Sequence, residues 1–435
     1  MTFSKKTKTM IPKGVATLLR EGTFRRREIE REILSSFNRW GYQEVIPPLF
    51  EYLDVFSLGV EEEGLDSAYK FVDRATGRIM VLRPDVTPQI ARIAATLLHD
   101  QARPLRLCYS ANVFRHEDEH AGRERELFQI GGELIGPSDA EADAEMIVLT
   151  IEILRRIGLK SFRIAIGQME FTRGILAPFA SSPEFFKEIR HYVAKKESSP
   201  LEKCLKRESV DAKTRKQVLS LLELLGGEAV FRRAAALSDH PSCQAGLTRL
   251  EAVYAILKAH GYQDYLLIDL GEVRGFDYYT GTIFEIFADG FGSELGGGGR
   301  YDRLLEKFGA PSASTGFALY IDRIQSALNK GTLSQAGHDW VDFVVVHETK
   351  DLQQAVTLSA ELREAGFRVI RKNGLKKNKV DTYREEACRQ KIKKILSFSE
   401  GPGQNQLEMM DPATGRKQIQ NTENVLEWLR LNTDS

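Results

Sequence analysis

Cysteine is scarce. The 435-residue chain has four, Cys108, Cys204, Cys243 and Cys388, with no Cys-x-x-Cys spacing and no histidine pair beside them. The pattern on which a disulfide framework or a zinc site would be read is missing, and the thiols read as buried or incidental. Long apolar runs are absent too. No stretch approaches the roughly 20 residues of a membrane span, and Met1 to Met10 is polar and lysine-bearing, without the apolar centre of a signal peptide, so a cytoplasmic protein is expected. Neither sign of charge is in excess. Lys+Arg and Asp+Glu both number 61, which leaves no global field to recruit polyanions, and a nucleic-acid role would need a local basic patch. Gly-Lys-[Ser/Thr] and the dinucleotide fingerprint are both missing. What remains, 42% hydrophobic and 28% charged residues, is an ordinary globular composition, and at roughly 100–200 residues per domain the length predicts two to four domains.

Thr23 to Trp40 carries apolar residues on one helical face, with Thr23 as the expected N-cap and Gly41 as the stop. Arg78 to Arg83 reads as a strand ending at Pro84, followed by a helix from Thr87. Leu105 to Phe114 and Glu126 to Ile135 form the two arms of an expected antiparallel hairpin, joined by a polar loop. Ser138-x-x-Glu141 reads as a capping box for a helix ending near Gly158. After a strand at Phe162 to Ile166, residues 175–259 read as a helical insertion. Strand signals return at Tyr265 to Leu270, Thr282 to Phe287 and Thr315 to Leu319. The expected architecture is α+β, with residues 1–330 as one domain built on mostly antiparallel strands, 331–340 as a linker, and 341–435 as a C-terminal α/β domain that starts β-α-β.

Three polar segments interrupt this pattern. In Leu82-Arg-Pro-Asp85-Val-Thr87-Pro a carboxylate and a hydroxyl sit at a strand-to-helix junction, either as caps or as ligand groups. Gln129 and Glu133 are four apart on one strand, hence on one face, among Leu127, Phe128, Ile130 and Leu134. Such a buried amide and carboxylate need partners: a small cationic or imidazole ligand, or a neighbouring arginine. In the third segment Arg274 is followed by glycine and by Tyr278 and Tyr279, offering a carboxylate fork and two polar-tipped rings. Gly296 to Gly299 then precede Arg300-Tyr301-Asp302, as a backbone that a ligand can approach or as a flexible turn.

Read in order, Leu-Arg-Pro-Asp-x-Thr, Phe-Arg-His-Glu, Phe-x-Gln-x-Gly-x-Glu, Arg-Gly-x-Asp-Tyr-Tyr, Gly-Gly-Arg-Tyr-Asp and Gly-Phe-Ala-Leu-x-x-x-Arg resemble histidyl-tRNA synthetase and its non-synthetase relatives over nearly the whole chain. Among those relatives, Asp85 and the phrase Asp-Tyr-Tyr-Thr-Gly resemble the regulatory subunits of ATP phosphoribosyltransferase. The resemblance implies the class II aminoacyl-tRNA synthetase-like antiparallel sheet flanked by helices, with an anticodon-binding-like C-terminal domain. It also implies a histidine pocket. Asp85 and Gln129 would face the α-ammonium, Arg274 the carboxylate, and Glu133 with Tyr279 the imidazole; Tyr301 would line the wall, with Thr87, Arg115 and Tyr278 in the same set.

Departures from the synthetase pattern separate the two functions. Synthetases carry glutamate where Asp85 stands, so the carboxylate here is withdrawn by about 1.5 Å. They have glycine at Tyr320, beside the adenine of ATP, and arginine at Gly281. The loop Glu117 to Glu126 carries five acids against two arginines where a synthetase holds phosphates and the tRNA end. Against this, Arg115 and Arg323, the two arginines that contact ATP in the class, are both present. The C-terminal domain has 16 basic and 14 acidic residues, and its cluster Arg371, Lys372, Lys376, Lys377 and Lys379 reads as a solvated face or protein contact more readily than as a tRNA site. The expectation is a non-catalytic subunit that activates a short ATP phosphoribosyltransferase catalytic subunit and mediates L-histidine feedback in the first step of histidine biosynthesis. It would act as a homodimer within a hetero-oligomer, without cofactor, metal, membrane or tRNA. The alternative is an active histidyl-tRNA synthetase.

Overall fold

The computed structural model describes residues 11–60, 65–116, 124–273, 278–328, 341–373, 380–398 and 406–421. The chain divides into two units, Met1–Leu333 and Ser334–Ser435. The strands of the first are β1 (Gln43–Glu44), β2 (Phe50–Tyr52), β3 (Lys70–Val72), β4 (Ile79–Leu82), β5 (Leu105–Phe114), β6 (Glu126–Gly136), β7 (Phe162–Gln168), β8 (Leu225–Gly226), β9 (Leu266–Asp269), β10 (Thr282–Ala288), β11 (Gly296–Arg300) and β12 (Ala313–Tyr320). Nine of them form one sheet in the order β1-β5-β6-β12-β11-β10-β7-β9-β8, antiparallel except where β1 meets β5 and β7 meets β9. Strands β2 and β3 flank β4 in a separate antiparallel sheet.

Strand periodicity sorts the residues of the large sheet between two cores. Phe128, Ile130 and Leu134 of β6 join a core with Ile29, Ile33 and Phe37 of the helix Glu21–Arg39 and with Met146, Ile147 and Ile151 of the helix Ala140–Arg156. Leu127 and Ile135, one residue out of phase, join a second core with Leu107, Tyr109 and Val113 of β5 and with Ile90, Ala91 and Ala94 of the helix Thr87–Thr96. Each buried Leu, Ile or Phe contributes about 1.5–3 kcal/mol. Gln129 and Glu133 share the phase of the second core, so the sheet presents them beneath the helix Thr87–Thr96.

Two helix starts differ from the sequence reading. The first helix begins at Glu21, so Thr23 lies inside it and donates its hydroxyl to Leu18 O at 3.1 Å. The N-cap of Ala140–Arg156 is Asp139 rather than Ser138, its carboxylate accepting from Ala142 N at 2.9 Å. The segment 175–259 is mainly helical, but Leu225–Gly226 adds an edge strand to the sheet through β9.

The glycine tract is a strand and not a turn. Gly296 to Gly299 belong to β11, paired on both sides with β10 and β12. A Cβ at Gly298 would lie 2.1 Å from Gly316 O, so the crowding of two backbones excludes a side chain there.

The second unit contains β13 (Val341–His347), β14 (Val369–Asn373), β15 (Ile392–Phe398), β16 (Gln406–Met410) and β17 (Lys417–Asn421), in the order β14-β13-β15-β16-β17. The first three are parallel and the last two antiparallel additions. The helix Leu352–Glu364 packs on one face through Ala355, Leu358 and Leu362, and Tyr383 and Ala387 pack on the other. In the basic cluster Lys372 is engaged, with Nζ 2.7 Å from Glu386 and 4.0 Å from the Tyr383 ring centre; Lys376, Lys377 and Lys379 lie outside the described residues.

Candidate functional site

Glu133 is the centre of the site. Its side chain is buried, with Oε1 accepting from the Thr87 hydroxyl at 2.8 Å and Oε2 from the Tyr301 hydroxyl. The sequence left open an arginine as its partner; the observed partners are hydroxyls, and neither Glu133 nor Asp85 has an ion-pair partner among the described residues. Burial pushes the Glu133 carboxyl up to about 8, and the nearby Asp85 charge adds to the rise against the opposing effect of the two hydroxyls.

Gly316 makes this placement possible. It pairs with Glu133 across β12 and β6, and a Cβ on it would lie 1.6 Å from Glu133 Oε2 and 2.7 Å from Gly132 O. The carboxyl group occupies the space that any side chain at 316 would take.

Asp85 lies just before the helix Thr87–Thr96 and reaches across to β6. Its Oδ1 accepts from Val86 N at 2.7 Å at the start of the helix, and also from Gln129 Nε2 at 3.3 Å. Among the described residues, Gln129 Oε1, the other end of that amide, is buried without a donor, and the Tyr278 hydroxyl is buried without a partner. Tyr278 stacks on Tyr301 with ring centres 5.5 Å apart and meets Tyr279 edge-on at 4.9 Å. Burial raises the Tyr278, Tyr279 and Tyr301 phenols, keeping all three protonated at neutral pH. The structure thus brings together Asp85, Thr87, Gln129, Glu133, Tyr278, Tyr279 and Tyr301. The cluster is rich in acceptors, and its buried polar atoms without partners among the described residues would be met by a small molecule bearing an ammonium and a polar ring. Arg274 lies outside the described residues.

Arg115 sits toward a different neighbour. Its Nε donates to Pro84 O at 2.9 Å and its Nη1 to the Tyr320 hydroxyl at 3.2 Å. Arg323 approaches the same ring, its guanidinium carbon 4.6 Å from the ring centre, while its nitrogens reach Glu294 at 2.6 Å and Glu124 at 3.6 Å. Tyr320 thereby stands between the two arginines, at the register position opposite Gln129. Residues 117–123 of the acidic loop lie outside the described residues; at its end, Glu124 contacts Arg323 and Glu126 accepts from Asn112.

The sequence reading missed a supporting network behind Tyr301. Asp143, with 1% of its side chain exposed, accepts from Arg300 Nε at 2.8 Å, Arg249 Nε at 3.0 Å and the Thr282 hydroxyl at 3.0 Å. Arg300 also donates to Asp302 at 3.0 Å. The only local signal was the Arg300-Tyr301-Asp302 cluster, since Asp143 is 157 positions from Arg300. Among the described residues no group of three or more His, Cys, Asp or Glu side chains could hold a metal ion, and no helix is long and apolar enough to cross a membrane.

Residues 14–324 match the histidyl-tRNA synthetase family. An ATP phosphoribosyltransferase regulatory subunit of Geobacter metallireducens is 36% identical over 361 residues, 83% of each chain. That of Thermoanaerobacter pseudethanolicus is 41% identical over 320 residues, covering 74% of this chain and 83% of its own. A crystal structure described as an ATP phosphoribosyltransferase regulatory subunit/histidyl-tRNA synthetase from Bacillus halodurans is 29% identical, with a TM-score of 0.80 over 91% of this chain and 99% of that one. The class II synthetase-like fold expected from the sequence agrees with these matches, and the chain belongs to the histidyl-tRNA synthetase-like family of ATP phosphoribosyltransferase regulatory subunits.

Proposed function

We propose that this chain is catalytically silent, that it binds and activates a short ATP phosphoribosyltransferase catalytic subunit, and that the pocket around Glu133 takes L-histidine as the feedback signal. The transfer chemistry then belongs to the partner, and a homodimer within a hetero-oligomer supplies the scaffold. In this reading the histidine α-ammonium donates to the unsatisfied Gln129 Oε1 and to Asp85, its carboxylate pairs with Arg274, and its ring lies among Glu133, Tyr278, Tyr279 and Tyr301. If histidine alters partner affinity, the partner alters histidine affinity by the same factor.

The position of Tyr320 carries the reading of silence. By resemblance, adenine would lie at this residue in a synthetase, and here the ring stands against both arginines that would meet ATP, with Arg323 already engaged by Glu294. Displacing a packed ring costs on the order of 1–3 kcal/mol, and the arginines would have to leave their present partners as well. Histidine-dependent ATP–pyrophosphate exchange by the purified chain should stay at background, while the chain co-purifies with a short catalytic subunit and raises its turnover. Robust exchange would establish a synthetase instead. Tyr320→Gly should recover measurable ATP binding by calorimetry; a variant that still binds none would place the block elsewhere.

A further inference from the structure

We infer that the occupied pocket holds a single proton, shared between Glu133 and the ring of its ligand, so that binding below the ring's own titration range must expel a proton. The inference rests on the histidine reading given above and concerns how that ligand is held.

Among the described residues, the groups around Glu133 cannot balance its charge. Thr87 and Asp85 face it from the segment that starts the helix Thr87–Thr96. Strand β5 contributes Leu107, its register partner, and Tyr109, while β12 contributes only Gly316. Tyr301 covers Oε2, Tyr278 and Tyr279 complete the wall, and Tyr42 also senses the carboxyl electrostatically. Asp85 is acidic, the tyrosines are neutral, and no described base pairs with Glu133. An ionised carboxylate in the empty pocket would therefore be buried without a counter-charge, which agrees with a carboxyl pushed up to about 8. In the unliganded protein Glu133 is then mainly a neutral acid at pH 5.5 to 7.0.

A neutral imidazole completes this arrangement with one proton on the line between oxygen and nitrogen. An imidazolium brings a second proton, and with both retained the pocket would bury a cation against a neutral acid. One proton must leave, and it goes to solvent. With a free ring titrating near 6.5, about 0.9 proton per ligand should be released at pH 5.5 and about 0.2 at pH 7.0. Affinity should fall about tenfold for each pH unit well below 6.5.

Isothermal titration of the full-length protein with L-histidine, at pH 5.5 and 7.0 in buffers of different ionisation enthalpy, counts these protons directly. Release approaching one proton at pH 5.5, with weaker binding than at pH 7.0, is the expected result. Binding with no exchange at pH 5.5, or with proton uptake at either pH, would overturn the shared proton and leave the histidine pocket intact. An absence of binding at both pH values would overturn the pocket assignment and this inference together.

Discussion

Asp143→Ala should destabilise the first unit by about 3–5 kcal/mol, read as a lowered unfolding transition in calorimetry or urea titration. The size follows from what the substitution leaves behind. Arg300 has 6% of its side chain exposed and loses its buried carboxylate, leaving a cation without its main counter-charge, and removing one partner of a buried pair costs far more than the pair's net worth. Arg249, with 26% of its side chain exposed, can turn toward water and should matter less. The double variant Asp143→Ala/Arg300→Met should recover part of the loss, because it removes the stranded charge. If the double variant is no more stable than the single, Arg300 is held chiefly by Pro137 O and Asp302. The same variant reports on function. Arg300 precedes Tyr301, so loosening it should weaken the hydroxyl contact on Glu133 and with it histidine affinity.

Gly316→Ala should cost about 10–100-fold in histidine affinity while the protein still folds. A methyl group there cannot coexist with the present Glu133 carboxyl, 1.6 Å from the added carbon. Gly132 O, at 2.7 Å, blocks retreat on the backbone side. The carboxyl must leave Thr87, Tyr301 or both, and losing a hydrogen bond to a charged or proton-sharing group costs roughly 1.5–3 kcal/mol. The accompanying overpacking should lower stability by about 1–3 kcal/mol, checked by the same unfolding measurements. Unchanged affinity in Gly316→Ala would mean that Glu133 is not what the ligand touches.

These two positions also mark where the sequence could and could not be read. The period of two along Glu126–Gly136 places Gln129 and Glu133 on one face, opposite the phase of Phe128, Ile130 and Leu134, and needs no knowledge of the partner strands. The reason for the glycines is long-range by nature: Gly298 is bare because Gly316 O lies where its side chain would be, and Gly316 because Glu133 lies over it. Glycine's weak strand tendency left ligand approach and a turn as the two readings, and strand-to-strand crowding excluded the turn. The Asp143–Arg300 pair joins a helix to a strand far along the chain, and the C-terminal hairpin of β16 and β17 lacks the β-branched runs that announce strands elsewhere. At helix starts, neighbouring polar residues compete for the same backbone donors, so Asp139 displaced the equally plausible Ser138 as cap. Family resemblance grouped Arg115 with the ligand residues; its guanidinium donates to Pro84 O and to the Tyr320 hydroxyl, contacts that no local pattern announces.

The Thr87–Glu133–Tyr301 chain has a mechanical meaning. Glu133 is tied to residues 46 and 168 positions away, so three stretches of polypeptide that could otherwise fluctuate separately are cross-linked through one carboxyl group. A ligand that adds a further bond at this point tightens a reversible staple. Its occupancy then appears as local rigidity in the helix Thr87–Thr96 and in β6, β11 and β12, scaling with ligand concentration as binding free energy does. In the proposed reading, the level of a metabolite would thereby become the stiffness of a surface that a catalytic partner could sense.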